Sequence, residues 1–388
     1  MKILDKPIMP KGFECASVNC GLKDGGKDLS VIISKEKASA SGVFTQNLFP
    51  GVPVILGREI IKNGELRAIV ANSKISNVGT GDLGIENAKR TADAVAKEFG
   101  IPVNEVIMSS TGVIAEQLKI ELMEKGIRGI SSKMTTNPIV AAEGIMTTDT
   151  YPKAISIEID GVTITVVGKG SGMIEPNMAT MLVYILTDAK IGKNDLSTML
   201  KDAVKDSFNM LSVDTDTSTS DTCLILANGL SGSIDSNRFF EGLKLGCVEM
   251  TKMLARDGEG ASKLLTAEVM GAINDSEARV LSKSLINSPL IKTMAYGADP
   301  NIGRILMALG KCSDCTIIPE KMEAKINGTI VYQDGNKADF DEDALRKSLG
   351  GEKVAIKIDL KVGNSSSKAY GCDLTQGYVE ENAAYYSS

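Results

Sequence analysis

The feature that most constrains the fold is a hairpin pattern in the middle of the chain. Isoleucine and valine alternate with more polar residues on both sides of one turn, at Ile155, Ile157, Ile159, Val162, Ile164 and Val166. The turn is Asp160-Gly161, a pair favoured in type I′ turns because both positions need a positive φ. Alternation with a period of two predicts two antiparallel strands. The chain is therefore expected to contain an antiparallel sheet.

The predicted hairpin leads into a glycine-rich segment that ends in an apolar run. The sequence from Gly168 to Ala189 is GKGSGMIEPNMATMLVYILTDA. Glycine permits backbone angles that other residues avoid, and the run 181–186 predicts a buried strand. Thr180 lies where the predicted loop becomes the predicted strand. An ordinary loop before a core strand, with Thr180 as a strand-edge hydroxyl, would give the same pattern.

Cleavage of the chain before Thr180 would give one residue both a nucleophile and a base. The new α-amino group would have an unperturbed pKa of about 7.7–8.0, so it could accept the proton of the threonine hydroxyl. The sequence contains no histidine. This excludes Ser-His and Cys-His nucleophile pairs and imidazole metal ligands, so few designs for a covalent catalyst remain.

The composition is typical of a soluble globular protein that acts on a small molecule. A chain of 388 residues, with 43% hydrophobic and 24% charged residues, is expected to form two or three domains or subdomains. The net charge of −6 gives no basic surface for nucleic acid or anionic membranes. No apolar run resembles a signal peptide or approaches the ~18 residues of a membrane span. We therefore expect a cytoplasmic protein with neither a nucleic-acid nor a membrane partner.

The cysteines and acidic residues do not form a recognisable metal site. Seven cysteines are an odd number spread over a long chain, which is typical of reduced thiols. Cys312 and Cys315 form one C-x-x-C pair with no second pair nearby. The aspartate-rich segment beginning at Asp214 is not a calcium loop, because Thr219 replaces the turn glycine and Ile225 the bidentate glutamate. We expect no metal.

The remaining pattern predicts both helices and strands along the whole chain. Predicted strands cover 13–18, 29–34, 38–44, 66–72, 106–109, 223–227 and 354–360, and predicted helices cover 81–100, 115–125, 193–211, 238–255, 276–287, 302–310 and 343–349. This mixture predicts the α/β (α+β) class, with a smaller α+β domain towards the C-terminus. The order of the layers does not follow from these patterns.

Three further segments allow either a functional or an ordinary interpretation. Ser109-Ser110-Thr111-Gly112 lies between a predicted strand and a predicted helix. Backbone N–H groups at such a position can bind an anion, although a simple N-capping turn gives the same pattern. The charged segment 256–263 is typical of a solvated connector. The last residues, 378–388, are typical of a frayed tail.

Several separated segments resemble the ornithine acetyltransferase (glutamate N-acetyltransferase) family of arginine biosynthesis. Residues 169–182 match, without a mismatch, the context K-G-S-G-M-I-x-P-N-M-A-T-M-L in which that family cleaves an Ala-Thr bond. Further matches are S-T-G-V-I at 110–114, D-T-S-T at 216–219, D-G-E-G-A-S-K at 257–263 and G-A-D-P-N at 297–301. The chain departs from the family at Ala115, Thr215, Ser220, Tyr296 and Ile302, and it has one additional C-terminal serine.

The resemblance implies the fold and the processing of the chain. It implies a four-layer αββα core similar to N-terminal-nucleophile enzymes, with a smaller C-terminal α+β domain. Autocleavage between Ala179 and Thr180 would give alpha and beta chains from one precursor, assembled as (αβ)2 or (αβ)4. We therefore expect residues 1–179 as the alpha chain and first part of the core, and 180–275 as the rest of the core. Residues 276–388 would form the C-terminal domain, whose tail returns to the active site.

The resemblance also implies the reaction and the residues that perform it. Thr180 would be the nucleophile, Thr111 and Gly112 would stabilise the oxyanion, and the substrate would contact Thr147, Lys169, Thr180, Glu259, Asn382 and Ser387. The acetyl group of N2-acetyl-L-ornithine would pass to L-glutamate through acetyl-Thr180, without a cofactor. The resemblance leaves open whether acetyl-CoA is an additional co-substrate and whether Ser388 replaces Ser387.

Two other functions are compatible with the residues themselves. An N-terminal-nucleophile aminopeptidase or amidase would share the cleavage chemistry but transfer the acyl group to water. A non-catalytic protein that binds small molecules would keep an intact chain of 388 residues.

Overall fold

The computed structural model describes residues 1–175 and 181–383, and these residues form two compact units. The first unit contains Met1–Gly170, Thr217–Met250 and the described part of 176–209. The second contains Ser171–Glu175, Met210–Asp216 and residues 251–383. Each unit is therefore assembled from segments that are separated in sequence. Among the described residues, no helix is both long and apolar enough to cross a membrane.

Within the described residues, nine strands form the sheet of the first unit. The strands are β1 (Lys2–Ile3), β2 (Phe13–Val18), β3 (Leu29–Phe44), β4 (Glu65–Asn72), β5 (Val106–Ser110), β6 (Lys153–Ile159), β7 (Val162–Lys169), β8 (Leu182–Ala189) and β9 (Thr222–Gly232). The helices that accompany them are α1 (Val52–Ile60), α2 (Gly81–Phe99), α3 (Ile120–Ile127), α4 (Pro138–Glu143), α5 (Lys193–Lys205) and α6 (Ser236–Arg256).

The long strand β3 divides this sheet into two layers. Its first half pairs with β2 and β4, its second half pairs with β9, and its register with β4 shifts between Ile33 and Ala38. The strand order is β1-β6-β7-β8-β9-β3-β4-β5, with β2 paired to β3. One hydrophobic cluster joins Ile32 of β3 and Ile69 of β4 to Tyr184 of β8. The two halves of the sheet therefore face each other across a common core.

Helices cover the outer faces of both layers. A second cluster joins Val31 and Val70 of the first layer to Val95 of α2 and Met123 of α3. On the other layer, α6 lies so close to β6 and β7 that a Cβ at Gly246 would be 2.9 Å from the Ile157 side chain. The first unit thus has the order helix, sheet, sheet, helix, which confirms the predicted αββα core.

The predicted hairpin is present as β6 and β7, and β8 extends the same sheet beside β7. Asp160 and Gly161 have φ values of 49° and 84°, as a type I′ turn requires. β7 pairs with both β6 and β8 in antiparallel fashion, and Lys169 at its end is opposite Leu182. The two ends of the glycine-rich segment therefore lie on adjacent strands.

Among the described residues of the second unit, six strands form a sheet in the order β13-β12-β11-β14-β10-β15. These strands are β10 (Leu264–Ala272), β11 (Glu323–Ile326), β12 (Thr329–Gln333), β13 (Asn336–Lys337), β14 (Lys353–Asp359) and β15 (Ser365–Cys372). The helices are α7 (Asp275–Asn287), α8 (Pro289–Tyr296), α9 (Ile302–Gly310), α10 (Glu342–Leu349) and α11 (Gln376–Ala383). The predicted α+β character is confirmed.

The boundary between the units differs from the division expected at residues 275 and 276. The second unit begins its C-terminal segment at Thr251. The reason is β10, which is parallel to β14 and antiparallel to β15 and therefore belongs to the second sheet. The expected division between residues 179 and 180 lies outside the described residues.

Two predicted helices have different limits in the structure. The helix predicted over 115–125 begins only at Ile120, and Ala115 has a positive φ of 64°. That angle is incompatible with a right-handed helix. The helix predicted over 193–211 ends at Lys205. Just beyond it, the Ser207 hydroxyl donates to the Ala203 carbonyl at 2.6 Å, a side-chain bond that competes with regular helical pairing.

Candidate active site

The described residues that follow the predicted cleavage site show which strand the chain enters after it. Ala179 and Thr180 lie outside the described residues, and so does Ser387. The next residue in sequence, Met181, is buried, and its carbonyl accepts the N–H of Thr222 at 2.9 Å. β8 follows immediately and lies between β7 and β9. Thr180 is thus joined by sequence to a central strand of the sheet.

The turn at Thr111 and Gly112 follows the carboxyl end of β5, beside the end of its parallel neighbour β4. Its flanking amides are bonded: Thr111 N–H donates to the Asn72 carbonyl at 3.0 Å, and Val113 N–H donates to that of Lys74 at 2.9 Å. Gly112 has a φ of 126°, and a Cβ there would lie 2.2 Å from the Lys74 carbonyl carbon. This position therefore requires glycine.

Two hydrogen-bond donors of this turn have no acceptor within the described parts of the chain. They are the Thr111 hydroxyl and the Gly112 N–H, which belong to adjacent residues. The predicted helix start is wrong here, because Val113 continues into a parallel bridge with Ile75 and α3 begins only at Ile120. Any anion bound at this turn would therefore be stabilised by these two donors and not by a helix dipole.

Asp149 links two predicted substrate-binding segments of the first unit. Its Oδ2 accepts the N–H of Thr147 at 3.0 Å, and its Oδ1 accepts the N–H of Gly170 at 2.8 Å. Lys153 Nζ donates to the same Oδ1 at 2.6 Å, and both side chains of this ion pair have no exposed surface. Burial by itself would raise the pKa of Asp149, but the charges of Lys153 and Lys169, together with the hydrogen bonds from Lys153 and Thr147, hold that pKa below its usual value. An ionised carboxylate therefore fixes Thr147 and the end of β7.

A partly buried lysine, Lys23, contacts the same part of the first unit. Lys23 Nζ donates to the Met146 carbonyl at 2.6 Å, next to Thr147. Burial lowers the pKa of Lys23, and nearby Lys169 and Lys74 act in the same direction against the raising effect of acidic neighbours. Neither Lys23 nor Asp149 was identified from the sequence, because no motif contains them and their backbone partners Met146 and Gly170 are separated from them in sequence.

In the second unit, Glu259 contacts both Asn382 and the start of the glycine-rich segment. Its Oε2 accepts a hydrogen bond from Asn382 Nδ2 at 2.8 Å, and its N–H donates to the Ser171 carbonyl at 2.9 Å. A Cβ at Gly172 would lie 2.2 Å from the Glu259 carboxylate carbon, so a larger residue at position 172 would displace the Glu259 side chain. The second unit thus brings together two of the residues that the resemblance implied, Glu259 and Asn382.

Asp214 fixes the next residues of the same segment. Its two carboxylate oxygens accept the N–H groups of Met173 and Ile174, at 2.6 and 2.7 Å. Burial raises the pKa of Asp214, and these backbone donors partly oppose that effect. Sequence analysis considered Asp214 only as a calcium ligand. Among the described residues, no group of three or more potential ligand side chains could hold a metal ion, and the expectation of no metal or cofactor stays a prediction.

Lys263, at the end of the D-G-E-G-A-S-K segment, has a structural environment. Its ammonium group donates to the carbonyls of Ala295 and Leu349, at 2.7 and 2.8 Å. These carbonyls lie in the last turns of α8 and α10, where cations are favourable. Asp373 accepts the N–H groups of Ser262 and Lys263, at 2.8 and 2.9 Å. Hydrogen bonds therefore hold both the Lys263 side chain and the backbone of residues 262 and 263.

The fold and the site together define a class of protein. The αββα core, with a central strand that begins just after Thr180, is that of a protein with an N-terminal-nucleophile type of fold. The model of the ArgJ family matches residues 14–387. The chain belongs to the ArgJ family, which confirms the resemblance inferred from its motifs.

Individual relatives are similar over nearly the whole chain. The chain is 42% identical over 380 residues to the arginine biosynthesis bifunctional protein ArgJ 2 of Clostridium acetobutylicum, a match that covers 97% of this chain and 98% of the relative. It is 40% identical over 386 residues to the glutamate N-acetyltransferase Oat2 of Streptomyces clavuligerus, which covers 98% of both. A crystal structure of the ArgJ protein of Bacillus halodurans matches with a TM-score of 0.50 and 38% identity, over 52% of this chain and 98% of that chain.

Proposed function

We propose that this protein is a cytoplasmic glutamate N-acetyltransferase that moves the acetyl group of N2-acetyl-L-ornithine to L-glutamate. As a member of the ArgJ family it is an acyltransferase of arginine biosynthesis. The Streptomyces relative with 40% identity over 98% of this chain carries the name of this activity. The structural observation that supports it most directly is the Thr111–Gly112 turn, which places two donors with no acceptor among the described residues at the end of β5.

Autocleavage between Ala179 and Thr180 would create the catalyst. The Thr180 hydroxyl attacks the Ala179 carbonyl, and the amide bond breaks as the Thr180 nitrogen takes up a proton, which leaves an ester between the two residues. Water hydrolyses this ester to give a carboxyl group on Ala179 and a free hydroxyl and α-amino group on Thr180. The mismatch-free cleavage context supports this step. The matched Bacillus chain also supports it, because a chain that is 98% covered while covering 52% of this one has the length of a single fragment.

In the transfer reaction, Thr180 supplies both the nucleophile and the base. Its α-amino group accepts the hydroxyl proton while the oxygen attacks the acetyl carbonyl of N-acetylornithine. The Thr111 hydroxyl and the Gly112 N–H donate to the developing oxyanion, and one such donor typically contributes about 10²–10³ in kcat. Ornithine leaves with the proton. The amino group of glutamate then attacks the acetyl ester and regenerates the Thr180 hydroxyl.

The proposed substrate contacts have charges that match an amino acid. Lys169 and Thr147 would bind carboxylate oxygens, and Asp149 accepts the N–H groups of Thr147 and of Gly170, the residue after Lys169. Glu259, which is paired with Asn382, would bind an ammonium group. Ser387 at the end of the chain would complete the contacts, and alpha and beta chains would assemble as (αβ)2 or (αβ)4.

Mass spectrometry provides the test. Under denaturing conditions the purified protein should give fragments of 179 and 209 residues, which together make the 388-residue chain. Incubation with N-acetylornithine should add the mass of one acetyl group to the fragment that begins with Thr180. Thr180→Ala should prevent both cleavage and acetylation, whereas Thr180→Ser should retain part of each. A single full-length species in an active preparation would contradict the proposal.

Product analysis distinguishes the alternatives. A transferase should form N-acetylglutamate when glutamate is added, whereas an aminopeptidase or amidase would release free acetate at the same rate with or without glutamate. Glutamate acetylation with acetyl-CoA alone would identify a bifunctional enzyme. Formation of N-acetylglutamate only from N-acetylornithine would identify a monofunctional one.

A further inference from the structure

Asp149 and Lys153 form a fully buried ion pair in the first unit. Neither side chain has exposed surface, and the ammonium nitrogen is 2.6 Å from the carboxylate. Replacing a buried ion pair with apolar residues is often neutral or stabilising, so stability alone is a weak reason for this arrangement. The carboxylate also accepts two backbone N–H groups, those of Thr147 and Gly170. The pair therefore connects two segments that lie more than twenty residues apart in sequence.

The chemistry of these contacts requires a carboxylate. Three donors converge on Asp149: two N–H groups and one ammonium group. An ionised carboxylate is an acceptor on both oxygens, whereas an asparagine side chain has one acceptor and one NH2 donor. In Asp149→Asn, that NH2 group would face either Thr147 N–H or the donors of Gly170 and Lys153. One contact would become a repulsion between donors in a site without water access.

We propose, on the basis of the function proposed above, that Asp149 is a positioning residue for autocleavage and acetyl transfer. Its carboxylate fixes the backbone of Thr147, a proposed substrate contact. It also fixes Gly170, which follows the proposed substrate contact Lys169 and begins the path of the chain towards the cleavage site. Asp149 itself is not a catalytic residue, because its oxygens are occupied by protein donors.

Two variants test the inference. Asp149→Asn alone removes the carboxylate that pairs with the buried Lys153 ammonium group and so endangers folding. The double variant Asp149→Asn/Lys153→Gln removes both charges and lets the two amide side chains bond to each other. It still leaves either Thr147 or Gly170 without its acceptor. If Asp149 positions the site, the half-time of precursor cleavage should lengthen by about tenfold or more, since small misplacements are costly in catalysis.

The kinetic signature separates positioning from a general loss of structure. For the double variant in its cleaved and folded form, KM for both N-acetylornithine and glutamate should rise by about fivefold or more. The change in kcat should be smaller, because the oxyanion donors are unaffected. A purely structural role would lower the thermal midpoint and the yield but would leave KM unchanged, since KM does not depend on the amount of active enzyme.

Asp188 provides the matched control. It is buried in β8, and its two oxygens accept the N–H groups of Thr163 and Lys11, at 2.8 and 3.1 Å. Thr163 is at the opposite end of β7 from Lys169, about 20 Å away at 3.3 Å per residue. Asp188→Asn should therefore lower the thermal midpoint while leaving the cleavage half-time and both KM values at the wild-type level.

The outcomes separate this inference from the proposed function. A wild-type enzyme that cleaves and transfers, beside a folded double variant with the same half-time and with KM values within about twofold, would overturn the positioning role alone. Equal impairment of Asp188→Asn would also overturn it, because the effect would then be general strain. A wild-type protein that neither cleaves nor transfers would overturn the proposed function, and this inference with it.

Discussion

Replacing Gly112 with alanine tests both the packing and the proposed chemistry of the donor turn. The added Cβ would lie 2.2 Å from the carbonyl carbon and 2.3 Å from the carbonyl oxygen of Lys74, and 2.7 Å from the nitrogen of Ile75. All three are backbone atoms, so no side-chain rotation can relieve the overlap. The φ of 126° adds strain for any residue with a Cβ.

The magnitude follows from these two contributions. A sparsely populated backbone conformation costs about 1–3 kcal/mol, and forced overlap in a packed region costs about 1–3 kcal/mol. A loss of roughly 2–6 kcal/mol is within the stability of about 5–15 kcal/mol that folded proteins possess, so the variant should still fold. The thermal midpoint should fall by roughly 5–20 °C, at about 2–4 °C per kcal/mol for a domain of this size. If the turn moves to relieve the overlap, kcat should fall by about 10²–10³.

Gly161→Ala is the matched control for this prediction. Gly161 also has a positive φ, 84°, but a Cβ there would meet nothing within 4 Å. The loss of stability in Gly161→Ala therefore measures backbone strain alone, about 1–3 kcal/mol, without the overlap. Calorimetry gives both thermal midpoints, and acetyl transfer is measured well below them. Equal destabilisation of the two variants would refute the argument from the Lys74 contact. A kcat that falls only with the folded fraction would refute the oxyanion role.

Three further predictions follow from the geometry. The fragments should elute together in size-exclusion chromatography under native conditions, because the β7–β8 and β3–β9 ladders cross the cut; separation without denaturant would contradict this. Lys263→Met should destabilise the protein by about 2–4 kcal/mol, because carbonyls at two helix ends lose a charged donor, and KM should stay constant. A raised KM with unchanged stability would assign Lys263 to substrate binding instead. Activity should rise with pH along one limb at or below about 8, set by the Thr180 amine, and Lys169→Met should move that limb upward because a positive neighbour is removed. A limb near roughly 4–5 would indicate a carboxylate base.

Local patterns predicted the parts of the fold that depend on local interactions. The period of two and the Asp160-Gly161 turn specified the β6–β7 hairpin, and the apolar run specified β8. The two strands predicted over 29–34 and 38–44 are one bent strand, β3, and the predicted break coincides with the shift of register between Ile33 and Ala38. The pairing of β3 with β9 could not be predicted, because it joins residues more than 170 positions apart.

The candidate site residues came from the family resemblance, and their roles stay predictions. Thr111, Lys169 and Glu259 lie in motifs shared with the family, whereas Thr147 was implied by the resemblance alone. Asp149 was not identified, although it contacts two of these segments, because an aspartate in a polar turn is common and its contact with Gly170 joins residues separated in sequence. The contact between position 172 and the Glu259 side chain also could not be predicted, because it joins residues far apart in sequence.

The position of β8 and β9 between β7 and β3 has a consequence for the lifetime of the enzyme. In the uncut chain, refolding is an event within one molecule. After a cut at residues 179 and 180, two chains must meet before the sheet can form, so the apparent stability depends on protein concentration. The isolated 180–388 chain would also present unpaired strand edges, which favour aggregation. After cleavage, the lifetime of the active enzyme would therefore depend on its rate of unfolding, because the two chains would not reassemble once they had unfolded and been diluted.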